Sequence, residues 1–249
     1  MVTSNLAFKE EDSIEPDVVV NESPVKWCAV ALSDVVARGK RLEASVFDVE
    51  AKQAYMLLTH GKYPAVNLIS KNGPVEKAYY GGRLKRHYVD ETEPGAVGFL
   101  GSSEMLDCKP EPVKFMLNDV KTTDVRVKQG VVLISRSGTI GNVTYVGNTL
   151  SKFFVSEHAI RIECKDFPGY VYAFLKTKIG KLIVCSTQYG AVIQEIEPEH
   201  LATVPIPDAP TMLKKKIHDL IVRSYELRDE SNDLIDQATA LLIGELKPV

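Results

Sequence analysis

Three kinds of spacing between apolar residues follow one another along this chain, and each predicts a different element. Leu32 to Val36 is apolar enough to begin a short helix, and Phe47 to Leu58 puts Phe47, Ala51, Ala54, Tyr55 and Leu58 on one helical face. Short β-branched runs come next. Val131 to Ser135, bounded by Gly130 and Gly138, reads as a strand, as do Asn142 to Val146 and His158 to Ile162. Gly169 to Ile179 returns to a helical period, with Tyr170, Phe174 and Leu175 facing inward. Ala191 to Ile196 and Thr203 to Ile206 are the last strands expected. Gly73-Pro74 and Gly81-Gly82 mark turns. Pro205, Pro207 and Pro210 then predict a break, because proline neither donates to a strand ladder nor continues a helix.

After Pro210 the pattern changes. Ile217, Leu220, Ser224, Leu227, Ser231, Leu234, Ala238 and Leu241 alternate spacings of three and four, flanked by Lys214, Lys215, Asp219, Arg223, Arg228, Asp229 and Asp233. That is a heptad seam. No proline occurs from Thr211 to Lys247, so one helix of about 35 residues, roughly 50 Å long, is predicted. It either folds back along its own domain or pairs with a helix of another chain; its length favours pairing, through Ile217, Leu220, Leu227, Leu234, Ala238 and Leu241. The fold class expected is α+β. A globular domain with a mixed, largely antiparallel sheet and short helices spans residues 26–210, and a long coiled-coil helix spans 211–249. Residues 1–25, acidic and without sustained period, are expected to form a disordered arm.

Composition sharpens this picture mainly by exclusion. The 249 residues are 45% hydrophobic and 25% charged, which excludes a wholly disordered chain. No apolar run is long enough for a membrane helix, no secretory leader opens the chain, and Cys28, Cys108, Cys164 and Cys185 are too scattered for a disulfide scaffold. A cytoplasmic protein without membrane attachment is expected. The net charge of −3 hides an asymmetry. Residues 1–25 carry −5, residues 26–210 carry +3 and residues 211–249 carry −1. A domain charge of +3 does not by itself argue for nucleic acid.

Catalytic constellations are missing. The chain has no phosphate-binding P-loop, no nucleophile elbow, no Gly-x-Gly-x-x-Gly and no Pro-Pro pair. Its five histidines include no HxH or HxxxH, so neither a metal nor a catalytic residue is expected. Glu157-His158 is the best acid–base candidate, with a structural role the stronger alternative. Cys185 with His200 lacks any supporting signature, and Asp107 with Glu111 lacks a basic partner.

The binding signals are better. Gly81-Gly82-Arg83-Leu84-Lys85-Arg86-His87-Tyr88 packs three fixed cations, a histidine and an aromatic residue into a glycine-hinged run beside Tyr79 and Tyr80. Arg and Lys serve phosphates, and Arg forks onto guanine; a solvated strand edge is the even alternative. Ser135-Arg136-Ser137-Gly138-Thr139 ends a strand in a tight turn able to cradle a phosphate, or merely to make a corner. Ser186-Thr187-Gln188-Tyr189-Gly190 offers an adenine-pairing Gln and a Tyr, preceded by Lys178 on a predicted helix. The DNA-binding set expected is therefore Arg83, Lys85, Arg86, His87, Tyr88, Arg136, Ser137, Thr139, Lys178, Gln188 and Tyr189.

At these residues the chain resembles a known family. Gly130-Val-Val-Leu-Ile-Ser-Arg-Ser-Gly-Thr-Ile-Gly141 looks like the LxSRSGTIG block of specificity subunits of type I restriction–modification systems. Ser156-Glu-His-Ala-Ile-Arg161, Pro168-Gly-Tyr-Val-Tyr-Ala-Phe-Leu175, Tyr189-Gly190, Ile196-Glu-Pro-Glu-His-Leu201 and Pro205-Ile-Pro207 follow in the order of one target-recognition domain, and the helix from Thr211 resembles the spacer helix. The resemblance covers roughly residues 26–246. It implies a non-catalytic reader of double-stranded DNA. Partner subunits would supply methyl transfer from S-adenosylmethionine and, with ATP and Mg, translocation and cleavage. Familiar members hold two recognition domains and two antiparallel helices; this sequence has one of each. The resemblance thus implies partnership with a modification subunit, with a restriction subunit through the complex, and with a second copy through the helix, reading a bipartite target. The competing classes are a dimerising scaffold that no longer reads DNA and, less favoured, a stand-alone nuclease or methyltransferase.

Overall fold

In a computed structural model, residues 29–37, 44–190 and 194–246 are described. The predicted arm and Cys28 lie outside them. The chain divides into two compact units, residues 1–49 and 50–249. In the first, α1 (Leu32–Ala37) is the short helix expected, followed by a 3₁₀ turn over Ala44–Phe47.

The second unit begins one residue into α2 (Val49–Thr59), a helix that buries Ala51, Ala54 and Leu58 and leaves Tyr55 exposed. The strands are β1 (Ala65–Asn67), β2 (Val75–Tyr80), β3 (Tyr88–Val89), β4 (Ala96–Leu100), β5 (Phe115–Leu117), β6 (Val132–Ser135) and β7 (Val143–Tyr145). After α3 (Asn148–Ser151) come β8 (Phe154–Val155), β9 (Ala159–Cys164), α4 (Pro168–Lys176), α5 (Lys178–Cys185), α6 (Pro198–Leu201), β10 (Pro205–Pro207) and α7 (Thr211–Leu246). One four-stranded sheet runs β2-β9-β6-β7, all antiparallel. The other runs β3-β5-β4-β8, with only β4–β8 parallel. The α+β class follows from these elements.

The continuous apolar run of β6 is explained by burial on both faces. Val132 and Ile134 enter the larger core with Tyr170, Phe174 and Leu175 of α4, while Leu133 packs with Leu100, Met105 and Val155 behind the sheet. The helix predicted over Gly169–Ile179 is two helices. Thr177 is extended, and its Oγ1 accepts from Gly180 N at 3.0 Å, which caps α5 where continuous helix was expected.

The proline break is also corrected. Pro205 and Pro207 lie inside β10, paired with β1. Leu68 N donates to Val204 O and Asp208 N to Pro64 O, so the ladder uses even-numbered residues and the two prolines sit where no donor is needed. Residues 191–193 of the expected Ala191–Ile196 strand lie outside the described residues; of the rest, Glu195 makes isolated bridges to Ser137 and Tyr189.

The long helix exists as predicted, with 36 residues in α7, but it presents two distinct faces. Leu213, Ile217, Ile221, Val222 and Tyr225 pack against the larger core, so Ile217, assigned from sequence to the pairing face, belongs to an intramolecular one. Leu220, Leu227, Leu234 and Leu241 recur every seven residues on another face and are 63%, 49%, 57% and 74% exposed. Beyond Asn232 every described residue of α7, Ala238 included, is exposed.

Candidate nucleic-acid interface

The run from Gly81 to His87 joins the two sheets, leaving β2 and entering β3. The turn expected at Gly81-Gly82 is absent. Glycine is required at 81 for a different reason: a Cβ there would meet Asp124 O at 2.6 Å and Arg161 Nη2 at 3.2 Å. Exposure alternates along the run from Arg83 to His87. Leu84 packs on the small core of Phe99, Met116, Val125 and Phe154, and Arg86 turns the same way. Arg83, Lys85 and His87 point outward, exposed, with no hydrogen-bond or ion-pair partner among the described residues. Tyr88 is exposed as well, with Lys114 Nζ 5.6 Å from its ring centre.

Arg86 is the inward cation of this set. Its Nη2 donates to both Glu157 oxygens, at 2.7 and 2.6 Å, and its guanidinium stands 5.0 Å from the centre of the Phe99 ring. Burial is the largest single influence and disfavours the Glu157 charge, but the Arg86 hydrogen bonds, a backbone hydrogen bond and the nearby Arg86 charge together hold the carboxyl below its ordinary range.

The corner after β6 departs most from expectation. Arg136 is only 2% exposed. Its Nη2 donates to Glu195 at 2.7 Å and Glu197 at 2.5 Å, its Nε to Ile196 O at 3.4 Å, and its guanidinium stacks 4.6 Å over Tyr80. A phosphate contact requires solvent access that this cation lacks, and two carboxylates already oppose it. Ser137 is buried too, its Oγ 2.8 Å from His158 Nδ1. The corner is thus structural at Arg136 and Ser137. Gly138, at φ +72°, makes the turn, and Thr139 remains exposed.

The third segment closes onto the same place. Tyr189 exchanges backbone hydrogen bonds with Glu195, its hydroxyl donates to Glu197 at 2.5 Å, and its ring meets His200 edge-on at 5.4 Å. The bond to Glu197 raises the Tyr189 pKa. Gln188 is half-buried. Lys178 is not part of this cluster: it begins α5, exposed, and pairs with Glu50 at 3.3 Å. Cys185 and His200 do not form a pair. The thiol donates to Ile140 O, burial pushes its pKa up, and His200 Nδ1 accepts from Glu197 N.

Glu157-His158, for which the sequence favoured a structural role over acid–base chemistry, organises this region from the turn Ser156–His158. Glu157 holds Arg86, the His158 ring holds Ser137, and His158 O accepts from Arg136 N at 2.9 Å. Ser156 O, Ala159 O and Val155 O accept from Arg161, a cation 1% exposed whose pKa burial lowers. No spacing in the sequence marks Arg136 and Arg161 as inward or Arg83 as outward. Only the alternation of Leu84 with its neighbours signals the latter. Among the described residues no group of three or more His, Cys, Asp and Glu is placed to hold a metal ion, and no helix is long and apolar enough to cross a membrane.

The sequence matches no family model and no curated protein. Solved structures similar to the chain include the HsdS subunit from Thermoanaerobacter tengcongensis, at 14% identity and a TM-score of 0.46 over 79% of this chain and 48% of that one. The type I restriction-modification S subunit from M. genitalium is similar at 17% identity and 0.45, over 75% and 43%. The type IIG restriction endonuclease BpuSI is similar at 11% identity and 0.49, over 71% and 28%. The chain therefore spans about half, or less, of the length of each.

Proposed function

We propose that this chain is a non-catalytic DNA sequence-recognition subunit of a type I restriction–modification complex. The observation that carries the reading is the outward row Arg83, Lys85 and His87 beside exposed Tyr88, on a run clamped at Gly81, Leu84 and Arg86. Two free cations, Arg83 and Lys85, spaced two positions apart on a held segment with the His87 ring next in the row, suit phosphates or base edges of a duplex. The ordered blocks that resemble a target-recognition domain support it. The partners proposed are a modification subunit, a restriction subunit through the complex, and a second copy through Leu220, Leu227, Leu234 and Leu241. Two recognition domains related by a two-fold axis would read a spaced palindrome. A cytoplasmic location goes with this role.

The test is binding-site selection from a random duplex library, with the chain alone and with its modification subunit, followed by anisotropy titrations at several salt concentrations. Enrichment of a bipartite sequence and a fall of affinity with salt are expected. One observation favours the second reading, a scaffold that does not read DNA: Arg86 and Arg136 are both neutralised internally. No enrichment and no salt dependence would select that reading.

A further inference from the structure

The Arg86–Glu157 pair sits under the basic run at the point where the outward residues need an anchor. Residues 81–87 belong to no strand or helix, so a backbone ladder does not fix them. Three features hold them: the tight backbone fit of Gly81, the packing of the Leu84 side chain, and the pairing of Arg86. Only the last is polar and directional. The side chain of Glu157 is 11% exposed and that of Arg86 32%. Glu157 itself stands in a turn tied to the sheet by Arg161 and to the corner by Ser137 and His158.

We propose that Glu157 is a positioning residue of this interface: by holding Arg86 inward it sets Arg83, Lys85 and His87 outward in register, without touching nucleic acid itself. Arg86 is accordingly not a phosphate ligand, despite being an arginine in the most basic run of the chain. Its guanidinium is committed to a carboxylate and to the Phe99 ring, and release would leave the buried Glu157 charge without its arginine partner. The affinity arm below rests on the DNA-binding reading; the structural arm does not.

The structural arm is limited trypsinolysis of the free chain, read by mass spectrometry at Arg83 and Lys85. Cleavage requires the run to leave its seat, so its rate reports the open population. Glu157→Gln is expected to speed cleavage at both sites more than about tenfold. Arg86→Gln reads the same latch from the partially exposed side and keeps the test valid if Glu157→Gln folds poorly. The double variant is expected to be no faster than either single one, because both remove one interaction. Unchanged cleavage in both single variants overturns the proposal, whether or not the chain binds DNA.

The affinity arm uses the selected duplex. Arg83→Ala and Lys85→Ala are each expected to reduce the slope of log affinity against log salt by about one. Glu157→Gln is expected to weaken binding about tenfold through loss of order while leaving that slope unchanged. Tighter binding by Glu157→Gln, with a slope steeper by about one, would mean that Arg86 is a masked phosphate ligand and would overturn the proposal. A wild-type chain that binds no duplex overturns the DNA-binding reading instead, and the trypsin rates still decide whether Glu157 sets the run.

Discussion

The Tyr225 hydroxyl accepts the backbone N–H of Tyr145 at 3.1 Å and lies 3.2 Å from Thr144 Oγ1. The two tyrosine rings stand 5.2 Å apart, with Tyr172 edge-on to Tyr225 at 5.6 Å. Tyr145 belongs to β7, an edge strand of its sheet, so α7 satisfies a donor that no neighbouring strand reaches. Tyr225→Phe keeps the ring contacts and orphans that donor, which is expected to cost about 1–2 kcal/mol. Tyr225→Ala is expected to cost about 3 kcal/mol or more because the ring packing goes too. Urea unfolding of both variants measures the difference; equal losses would assign the whole effect to the hydroxyl, and an unchanged Tyr225→Phe would assign it to packing.

Asp229, one turn further on, accepts from Asn148 N at 2.7 Å and Thr149 N at 3.0 Å, and so caps α3 from a distant element. Asp229→Ala is expected to destabilise by about 1 kcal/mol, the range of an ordinary cap. Gly147→Ala should act in the same place, since its Cβ would lie 2.7 Å from Asp229 Oδ2. If the two substitutions together cost clearly less than the sum of each, they act on one contact, and denaturant midpoints of the three variants decide this.

Arg136, itself 2% exposed, joins Tyr80, Glu195 and Glu197, whose outer sides still reach solvent. Removing it leaves two carboxylates facing each other without a counter-charge. Arg136→Ala is therefore expected to lose about 3 kcal/mol of stability. Arg136→Lys should recover only part of that, because an ammonium neither stacks on Tyr80 in the same way nor forks between two carboxylates. A surface phosphate ligand would behave differently, with melting temperature unchanged and only binding impaired.

Much of this fold was legible because its signals are periodic. The β6 run, Ala51, Ala54 and Leu58 on the buried face of α2, and the length of α7 follow from spacing, whereas Tyr55, expected on that face, is exposed and Phe47 precedes the helix. What was not legible depends on partners far along the chain. Nothing near Thr177 says that its hydroxyl will cap a new helix, and nothing near Pro205 says that its missing donor will face away from β1. The site divides the same way. Arg83 and Arg86 are equivalent as letters; what separates them is Glu157, 71 residues beyond Arg86. Arg136 looked like a phosphate ligand because its turn is glycine-rich, yet the carboxylates that claim it arrive about sixty residues later.

The Arg86–Glu157 pair carries a pH signature of defined sign. The Glu157 carboxyl is lowered in the folded chain, so the unfolded chain binds the proton more readily. The stability that this group contributes is complete above its unfolded value of about 4.3 and is lost as pH falls through the lower folded value. Melting temperatures of wild type and Glu157→Gln are therefore expected to converge as pH is lowered from 6 toward about 3. A constant gap across that range would mean that the pair gains nothing from the Glu157 charge.

The two faces of α7 make separable predictions. Ile217 packs on the core of its own domain, whereas Leu227 and Leu234 are half exposed or more and lie on the seven-residue line. Ile217→Ala should lower stability by about 2–3 kcal/mol without altering self-association. Leu227→Glu with Leu234→Glu should do the reverse: stability of the single chain shifts by only about 0.5 kcal/mol, because little buried surface is lost. If α7 joins two copies, light scattering should find the wild type and Ile217→Ala with twice the chain mass and the double glutamate variant with the single mass, since two charges facing a partner's leucines stay desolvated and unpaired. A wild-type chain that remains at single mass at high concentration removes the homodimer. A double variant that still doubles its mass removes this leucine line from the interface, whatever else joins the chains.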